Sequence, residues 1–392
     1  MAHYEYLIVG GGMTAASAIE GIREVDANGS IGVIAAEAHR PYDRPPLSKQ
    51  LWTGKKTVAE IMRQLPPANL TFHLGCIAKT LSLATKLVAD DRGITYTFDK
   101  LLLASGGTPR LLPFGGDHLI YFRSFDSYQR LRDLADGHDT FAVIGGGFIG
   151  SEVAAALAMN GKKVTIIVPE KGICDRLFPA DVVAFLNDYY LQKGVTVLTG
   201  ESVTDVEGQG TELKLVTKSN RQIAANGVVA GIGIVPNVEL AVAAGIRVDN
   251  GIVVDHSLRT SHAEVFAAGD VANYHDHVLG VRRRVEHEDL ANTMGKAAGQ
   301  SMAGASVNFT HSPFFYSDLF EIGYEAVGEL DSRLNVVADW QEKYQTGVLY
   351  YLADNRVRGV LLWNVWGKVD EARALIASGE TVTAGSLKGR IS

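Results

Sequence analysis

Two glycine-rich segments of the chain have the residue types and spacing that bind a dinucleotide. They are Gly10-x-Gly12-x-x-Ala15 and Gly145-x-Gly147-x-x-Gly150. In such a segment the first glycine permits a tight turn, and the second lets the backbone approach a pyrophosphate. The small third residue lets a helix pack closely on a strand. Because phosphate binds to the exposed N–H groups at a helix start, each segment predicts one pyrophosphate site.

A glutamate follows each glycine segment by about 20 residues, where a carboxylate can accept hydrogen bonds from ribose hydroxyls. These glutamates are Glu37 and Glu170. A carboxylate at the second site repels a 2′-phosphate, which predicts NADH rather than NADPH, although the neighbouring Lys171 could weaken the preference. The alternative, glycines that serve only as turns, does not explain why the glutamates recur.

The elements around the two segments repeat one supersecondary unit. Apolar residues 6–9 and 30–35 predict strands on either side of a helix that runs to about Arg23. Residues 141–144 and 163–168 predict a second pair of strands around a helix at 151–160. The sequence therefore predicts an α/β fold with two Rossmann-like dinucleotide-binding domains. Residues 196–233 alternate like the short strands of a meander.

The character of the sequence changes near residue 312. Residues 314–316, 324–329, 336–341, 347–352 and 357–363 predict antiparallel strands, and residues 369–378 predict a helix. We expect a C-terminal α+β domain. The predicted domains are residues 1–115 (FAD-binding, first part), 116–236 (NAD(H)-binding), 237–311 (FAD-binding, second part) and 312–392 (C-terminal).

A third motif supports a flavin. The apolar run 265–268 ends at Gly269 and Asp270, and an aspartate at a strand end can hydrogen-bond the ribityl or phosphate part of a flavin. An aspartate in a simple turn is the alternative. Two dinucleotide sites in one chain predict electron transfer between two cofactors, with FAD at the first site and NADH at the second.

The composition excludes several classes of protein. The 392 residues are 46% hydrophobic and 21% charged, which argues against disorder, and the net charge of -7 disfavours nucleic acid and anionic membranes as partners. Two distant cysteines, Cys76 and Cys174, exclude a disulfide framework and a CxxC pair. We expect no metal site, no membrane insertion and no targeting segment, and hence the cytoplasm.

The whole chain resembles flavoprotein pyridine-nucleotide reductases with two dinucleotide folds. Within that family it is most similar to apoptosis-inducing factor and to bacterial ferredoxin, rubredoxin and putidaredoxin reductases. The resemblance is carried by RPPLSKQLW at residues 44–52, LASGGTPR at 103–110, GGGFIGSEVAAALA from residue 145, AAGDVANY from residue 267 and RRRVEHEDLA at 282–291.

The resemblance implies roles for individual residues. Lys49 and Glu152 match the family's ion pair beside the reactive edge of the flavin, where the lysine would hydrogen-bond N5 and act as a catalytic group. Phe148 and Ile149 match the mouth of the nicotinamide slot. The resemblance also assigns to the cofactor sites Arg44, Pro45, Ser105, Gly106, Arg110, Gly233, Gly269, Glu286, His287 and Tyr316.

Three of these residues need comment. Tyr316 stands where relatives often have tryptophan, and Ser105 replaces the usual threonine, so stacking and redox behaviour near the ring are expected to differ. No proton-transfer role is assigned to His287. The loop at residues 40–49 lacks the cysteine that disulfide reductases of this fold place there. We therefore expect hydride to enter the flavin from NADH and electrons to leave to an external acceptor.

The preferred hypothesis is an FAD-dependent NADH oxidoreductase that reduces a small iron–sulfur carrier such as a ferredoxin or rubredoxin. The basic cluster Arg282-Arg283-Arg284 could meet an acidic carrier, or could make salt bridges within its own loop. The alternative is a slow NADH oxidase resembling apoptosis-inducing factor, in which a long-lived FADH2–NAD charge-transfer complex controls homodimerisation or partner binding. Direct reduction of quinones, dyes or oxygen is a third hypothesis.

Overall fold

A computed structural model describes residues 2–391. Met1 and Ser392, at the outer ends of the first and last predicted domains, lie outside the described residues. The chain divides into two compact units. The first contains the chain up to Asp43 together with Val58–Thr108 and Val235–Pro313, and the second contains Arg44–Thr57, Pro109–Ile234 and the chain from Phe314 onward. The predicted four-segment domain division stays a prediction.

The first third of the chain alternates strands with short helices. The strands are β1 (Ala2–Val9), β2 (Ile31–Ala35), β3 (Leu70–Leu74), β4 (Ala78–Ser82), β5 (Leu87–Asp90), β6 (Thr95–Leu103) and β7 (Gly107–Pro109). The helices are α1 (Met13–Val25), α2 (Gln50–Thr53) and α3 (Val58–Ile61), with a 3-10 turn at Pro45–Ser48.

The middle of the chain contains the second repeat of the supersecondary unit. Its strands are β8 (Leu119–Tyr121), β9 (Thr140–Ile144), β10 (Lys163–Ile167), β11 (Val195–Leu198), β12 (Val203–Gln209), β13 (Glu212–Thr217), β14 (Gln222–Ala225), β15 (Gly227–Ala230), β16 (Ile234–Pro236), β17 (Ile252–Val253), β18 (Val265–Ala267), β19 (Ala272–Asp276) and β20 (Val281–Arg283). Its helices are α4 (Phe125–Gly137), α5 (Phe148–Met159), α6 (Ala180–Gln192), α7 (Glu239–Ala243) and α8 (Glu288–Met302), with 3-10 turns at Gly116–His118 and Gly269–Val271.

The last third is dominated by strands. They are β21 (Phe314–Leu319), β22 (Ile322–Gly328), β23 (Asn335–Glu342), β24 (Thr346–Ala353) and β25 (Arg356–Trp363). Two helices follow them, α9 (Val369–Ser378) and α10 (Ala384–Leu387).

In the first unit, seven strands form one sheet in the order β3-β2-β1-β6-β5-β4, with β18 beside β6. The strands β3, β2, β1, β6 and β18 run parallel. The apolar runs of β1, β2, β6 and β18 are buried as expected for a parallel sheet, whereas the edge strand β3 is only partly buried. Helix α1 packs against α8 so closely that a Cβ at Gly299 would lie 2.1 Å from the carbonyl oxygen of Ala18. Glycine at that position therefore permits the helix crossing.

The second unit contains a parallel sheet in the order β11-β10-β9-β15-β8. The predicted meander at residues 196–233 is correct only for β12, β13 and β14, which pair antiparallel. The flanking strands β11 and β15 belong to the parallel sheet instead. The prediction was wrong there because the apolar residues of a short strand do not show whether its partner runs parallel or antiparallel.

The C-terminal part of the second unit is a five-stranded antiparallel sheet in the order β21-β22-β25-β24-β23. All five predicted strands and the following helix are confirmed. The sheet buries Trp363 and Tyr324 completely, and their rings stack with centroids 6.0 Å apart. Within residues 2–391, no helix is both long and apolar enough to cross a lipid bilayer.

Candidate active site

The first glycine segment forms the turn between β1 and α1. Gly10 has a φ of +123°, and a Cβ there would lie 2.1 Å from the carbonyl oxygen of Ala104, so only glycine fits. Gly12 enters the 13-residue helix α1 in extended backbone and offers no side chain to cap it. Ala15 is fully buried beneath the turn. The N–H groups of the first helical turn are therefore available to a phosphate.

The carboxyl ends of three further parallel strands bring the other predicted groups of this unit to the same sheet edge. Glu37 follows β2, Ser105 and Gly106 follow β6, and Gly269 and Asp270 follow β18. This is the edge at which open α/β sheets bind dinucleotides. The glycine turn and these polar residues together fit FAD.

The turn after β6 is held by a residue that sequence reasoning missed. The Ser105 hydroxyl donates to the backbone oxygen of Asn237 at 2.8 Å, and the Asn237 side-chain amide donates to the backbone oxygen of Ser105 at 2.9 Å. The Asn237 backbone N–H also donates to Gly106 oxygen at 3.0 Å. No local sequence pattern links these two segments, so only the fold identifies Asn237.

His287 is the N-cap residue of α8, and its side chain carries no charge near neutral pH. Burial and, as a smaller cause, the positive charge of Arg283 lower the pKa of its imidazole to about 4. Beside it, Glu286 pairs with Arg284 at 2.7 Å.

The basic cluster at residues 282–284 is occupied by partners within the first unit. Arg282 donates to the backbone oxygens of Asn273 and Val254 at 2.9 Å, and Arg283 pairs with the buried Asp276 at 2.7 Å. Arg284 donates to the backbone oxygen of Asp270 at 3.0 Å and pairs with Glu286. These contacts favour the alternative in which the cluster stabilises its own loop rather than docking a carrier.

The second glycine segment repeats the turn geometry between β9 and α5. Gly145 has a φ of +102°, and a Cβ there would lie 2.5 Å from the backbone oxygen of Gly231. A Cβ at Gly150 would lie 2.0 Å from Gly145 oxygen, which confines this position to glycine. Gly147 starts the helix and faces open space, since a Cβ there would meet no atom within 4 Å. The turn fits the pyrophosphate of a second dinucleotide.

The glutamate of the second site has a cationic partner. Glu170 lies just after β10, and its Oε1 is 2.7 Å from Nη2 of Arg176, whose side chain is 85% exposed. An exposed ion pair is weak and easily rearranged. The carboxylate therefore remains available to ribose hydroxyls, with a guanidinium held beside it. Sequence reasoning did not single out Arg176 as the partner of Glu170.

Lys49 and Glu152 form a buried ion pair in the second unit. Lys49 Nζ lies 2.7 Å from Glu152 Oε1, and the two side chains are only 8% and 3% exposed. Two hydroxyls that sequence reasoning missed complete the site. Ser48 donates to Glu152 Oε2 at 2.6 Å, and Ser317 donates to Oε1 at 2.6 Å. The buried carboxylate is thus satisfied on both oxygens.

Aromatic rings surround this pair and the start of α5. Lys49 Nζ lies 5.3 Å from the ring centroid of Tyr316, within the range of a cation–π contact. The ring of Phe148 meets the ring of Phe315 edge-on with centroids 5.1 Å apart, while Ile149 is 39% exposed. Phe315 is a further residue that the sequence did not single out, and it backs Phe148 against the C-terminal sheet.

The remaining predicted residues of this unit make hydrogen bonds or form turns within the unit. Arg44 donates to the backbone oxygen of Arg123 at 2.8 Å, and Pro45 begins the 3-10 turn that leads to Ser48 and Lys49. The Arg110 N–H donates to the backbone oxygen of Gly233 at 2.9 Å.

Both cysteines are unsuited to thiol exchange. Cys76 and Cys174 are 2% and 5% exposed, and burial raises the pKa of both thiols, that of Cys174 to about 12. The negative charge of Glu152 is the second cause of the raised pKa of Cys174, after burial. A thiol that is neutral at neutral pH is a poor nucleophile. Within residues 2–391, no group of three or more His, Cys, Asp or Glu side chains is placed to hold a metal ion.

Known proteins of the same build were found for nearly the whole chain. Residues 4–295 match the family "Pyridine nucleotide-disulphide oxidoreductase", and residues 298–378 match "Apoptosis-inducing factor, mitochondrion-associated, C-term" in two overlapping pieces. The chain is 33% identical to "Apoptosis-inducing factor 1, mitochondrial" of Dictyostelium discoideum over 97% of its own length and 79% of that protein.

Two further relatives are bacterial-type reductases. The chain is 27% identical to the "3-phenylpropionate/cinnamic acid dioxygenase ferredoxin--NAD(+) reductase component" of Photorhabdus laumondii, over 98% of its own length and 99% of that protein. Among solved structures, the covalent putidaredoxin reductase–putidaredoxin complex matches with a TM-score of 0.90 and 27% identity, covering 98% of this chain and 95% of that one.

These matches confirm the resemblance, the fold class, and the use of FAD and NAD(H). The chain therefore belongs to the pyridine nucleotide-disulphide oxidoreductase family and is an FAD-dependent NAD(P)H oxidoreductase.

Proposed function

We propose that the chain takes electrons from NADH and delivers them to a small iron–sulfur carrier of the ferredoxin type. The observation that carries this proposal is the buried Lys49–Glu152 pair, together with the absence of a cysteine from the loop at residues 40–49. When bound, FAD supplies the chemistry that accepts a hydride and releases electrons one at a time.

The chain's own residues bind and orient the two dinucleotides. The turn at Gly10–Gly12 and the start of α1 are suited to the FAD pyrophosphate, and Glu37 to a ribose. The turn at Gly145–Gly147 and Glu170 are suited to NADH in the same way. Because Glu170 is an anion with an exposed partner, we expect NADH to be used in preference to NADPH.

Lys49 is proposed to hydrogen-bond the reactive edge of the flavin and to stabilise negative charge there. The ammonium is buried and paired with Glu152, so it is held in place before substrate arrives. The rings of Phe148 and Phe315 meet edge-on at the start of α5. Because both thiols are buried and neutral, electrons leave the protein without an enzyme disulfide.

A ferredoxin-type carrier is supported by the relatives. One relative is named as a ferredoxin reductase component, and the matching crystal structure contains putidaredoxin reductase joined to putidaredoxin. The test is steady-state reduction of a purified [2Fe–2S] ferredoxin by NADH, with cytochrome c as the final indicator. Ferredoxin-dependent turnover well above the rate without ferredoxin supports the proposal. Equal rates with and without ferredoxin would refute it.

A second candidate function rests on the C-terminal domain. Residues 298–378 match the C-terminal family of apoptosis-inducing factor, and the Dictyostelium protein of that name is 33% identical. In this alternative the chain turns over slowly, and NADH controls homodimerisation or partner binding. Sedimentation of the purified protein with and without NADH distinguishes the two, because a carrier reductase needs no NADH-dependent change of mass.

We expect the cytoplasm as the compartment.

A further inference from the structure

Three donors from two distant segments converge on one buried carboxylate. Glu152 lies in the second turn of α5 and is 3% exposed. Its Oε2 accepts a hydrogen bond from Ser48 at 2.6 Å, and its Oε1 accepts from Ser317 at 2.6 Å and from Lys49 Nζ at 2.7 Å. Ser48 and Lys49 are adjacent, so one dipeptide reaches both oxygens. The lengths of the hydroxyl contacts are those of charge-assisted hydrogen bonds.

Each serine hydroxyl donates its single proton in a hydrogen bond to Glu152. The Ser48 hydroxyl also lies 3.4 Å from the backbone oxygen of Pro45, but the carboxylate contact is much shorter. Ser48 is 4% exposed and Ser317 is 0% exposed, so water does not compete for these bonds. Both hydroxyls are therefore committed to the orientation of the carboxylate.

The strand that carries Ser317 also contacts the lysine. Neighbouring side chains of a strand point to opposite faces, so β21 directs Tyr316 and Ser317 to different sides. The Tyr316 ring lies 5.3 Å from Lys49 Nζ, while the Ser317 hydroxyl reaches Glu152. One dipeptide at the edge of the C-terminal sheet thus contacts both members of the ion pair.

The surroundings contain a competing partner for Lys49. Asp318 follows Ser317, and burial raises the pKa of its carboxyl, an effect that Lys49 and Lys55 oppose and Glu152 adds to. The negative charge of Glu152 also acts on Cys174, Tyr190 and Tyr324. Burial is the main cause that raises the pKa of each of these groups, so all three stay neutral. A loosened Glu152 would leave the ammonium free to turn toward Asp318.

We propose that Ser48 and Ser317 are positioning residues, which fix the Glu152 carboxylate and through it the orientation of the Lys49 ammonium toward the flavin. The inference rests on the proposed role of Lys49 beside the reactive edge of the flavin. It goes further because it makes the C-terminal strand β21 part of the hydride-accepting site.

The test compares Ser48→Ala, Ser317→Ala and the double variant as holoenzymes. Two quantities are measured anaerobically: the rate constant of flavin reduction by NADH, and the midpoint potential of the bound flavin by equilibrium dye titration. Each single variant should lower the rate constant by about 10-fold, since a hydrogen bond to a charged group is lost. The potential should fall as well, and the apparent Kd for NADH should change by less than about two-fold.

Background variants separate positioning from general damage. In a Glu152→Gln background, Ser317→Ala should add little further effect on rate or potential, because the charge it orients is gone. Ser317→Thr retains the hydroxyl and should recover most of the rate. Ser301→Ala is the matched control: this serine is buried, and its hydroxyl has no hydrogen-bond partner among the described residues. It should leave both quantities unchanged.

The outcomes distinguish the positioning role of Ser48 and Ser317 from the proposed role of Lys49. If Lys49→Met lowers rate and potential but both serine variants match the wild type, the positioning role is refuted and the role of Lys49 stands. If Lys49→Met also matches the wild type, the proposed role of Lys49 fails. A full additional effect of Ser317→Ala in the Glu152→Gln background would overturn the inference too. If Ser317→Ala does not fold, Ser48→Ala and Ser317→Thr still decide it.

Discussion

Lys49 and Glu152 meet at 2.7 Å within one compact unit, although the chain on either side of the Lys49 segment belongs to the other unit. The segment Arg44–Thr57 leaves the first unit, forms a 3-10 turn and a short helix, and places Lys49 against α5. The ion pair therefore does not depend on a contact across the two units. A buried charge pair of this kind is costly to break from one side.

Removal of one partner of this pair should affect both stability and rate. Lys49→Met leaves the Glu152 carboxylate buried without its cation and should destabilise the protein by about 3–5 kcal/mol. Flavin reduction by NADH should slow by about 100-fold or more, because a donor to developing negative charge is lost. Thermal unfolding and anaerobic stopped-flow absorbance measure the two effects.

The double variant Lys49→Met/Glu152→Met is the control for that experiment. It replaces the whole pair with apolar side chains, so most of the lost unfolding temperature should return while flavin reduction stays slow. The rest should stay lost, because the buried hydroxyls of Ser48 and Ser317 no longer have the carboxylate as acceptor. Recovery of the rate together with the stability would mean that the pair is only structural.

Glu170 and Arg176 should set the choice between NADH and NADPH. Glu170→Gln removes the charge that repels a 2′-phosphate and releases the Arg176 guanidinium, now 2.7 Å away, to bind it. The ratio of kcat/KM for NADPH to that for NADH should rise by about 10-fold. In the same background, Arg176→Ala should reverse most of the gain. An unchanged ratio in Glu170→Gln would show that the carboxylate does not contribute to the choice between NADH and NADPH.

The two cysteines should be dispensable. Because burial raises the pKa of both thiols, a thiol-specific disulfide reagent at pH 7.5 should react with neither in the native protein and with both after denaturation. The variant Cys76→Ala/Cys174→Ala should keep NADH-dependent turnover within about two-fold, provided that it folds. Loss of turnover in a folded, flavin-loaded double variant would contradict electron transfer without an enzyme thiol.

His287 should make stability fall in mild acid. Its pKa in the folded protein is about 4 against an ordinary 6.5, so below 6.5 the unfolded chain binds the proton more readily. The folded protein keeps its full stability above pH 6.5. As the pH falls from 6.5 toward 4, the free energy of unfolding decreases by about 1.4 kcal/mol per pH unit, or about 3 kcal/mol in all.

The thermal unfolding midpoint between pH 7 and 4.5 measures this loss. His287→Asn should flatten the decline, whereas His275→Asn, at an exposed site, should keep it. Parallel declines in the wild type and His287→Asn would contradict an imidazole that stays neutral in the folded protein.

Local patterns were sufficient to predict much of the architecture. The turns at Gly10 and Gly145 and the five C-terminal strands were predictable, because glycine spacing and alternating burial are properties of neighbouring residues. The direction of β11 and β15 was not, since a strand's periodicity does not say whether its partner runs parallel.

Contacts between distant segments escaped prediction in the site as well. Lys49 and Glu152 were identified through family resemblance, while Ser48 and Ser317 look like ordinary serines until the fold brings them to one carboxylate. The partner of Glu170 was missed for the same reason, because Arg176 reaches it through a loop rather than through a regular element.

The most direct test is an anaerobic stopped-flow titration of the purified, flavin-loaded protein with NADH, followed by mixing with oxidised ferredoxin or with oxygen. The account predicts rapid bleaching of the flavin absorbance by NADH, and recovery that is faster with ferredoxin than with oxygen. Slow bleaching to a species that persists with both acceptors would contradict the reductase and favour the NADH-controlled assembly protein. A protein that binds no flavin would contradict the account as a whole.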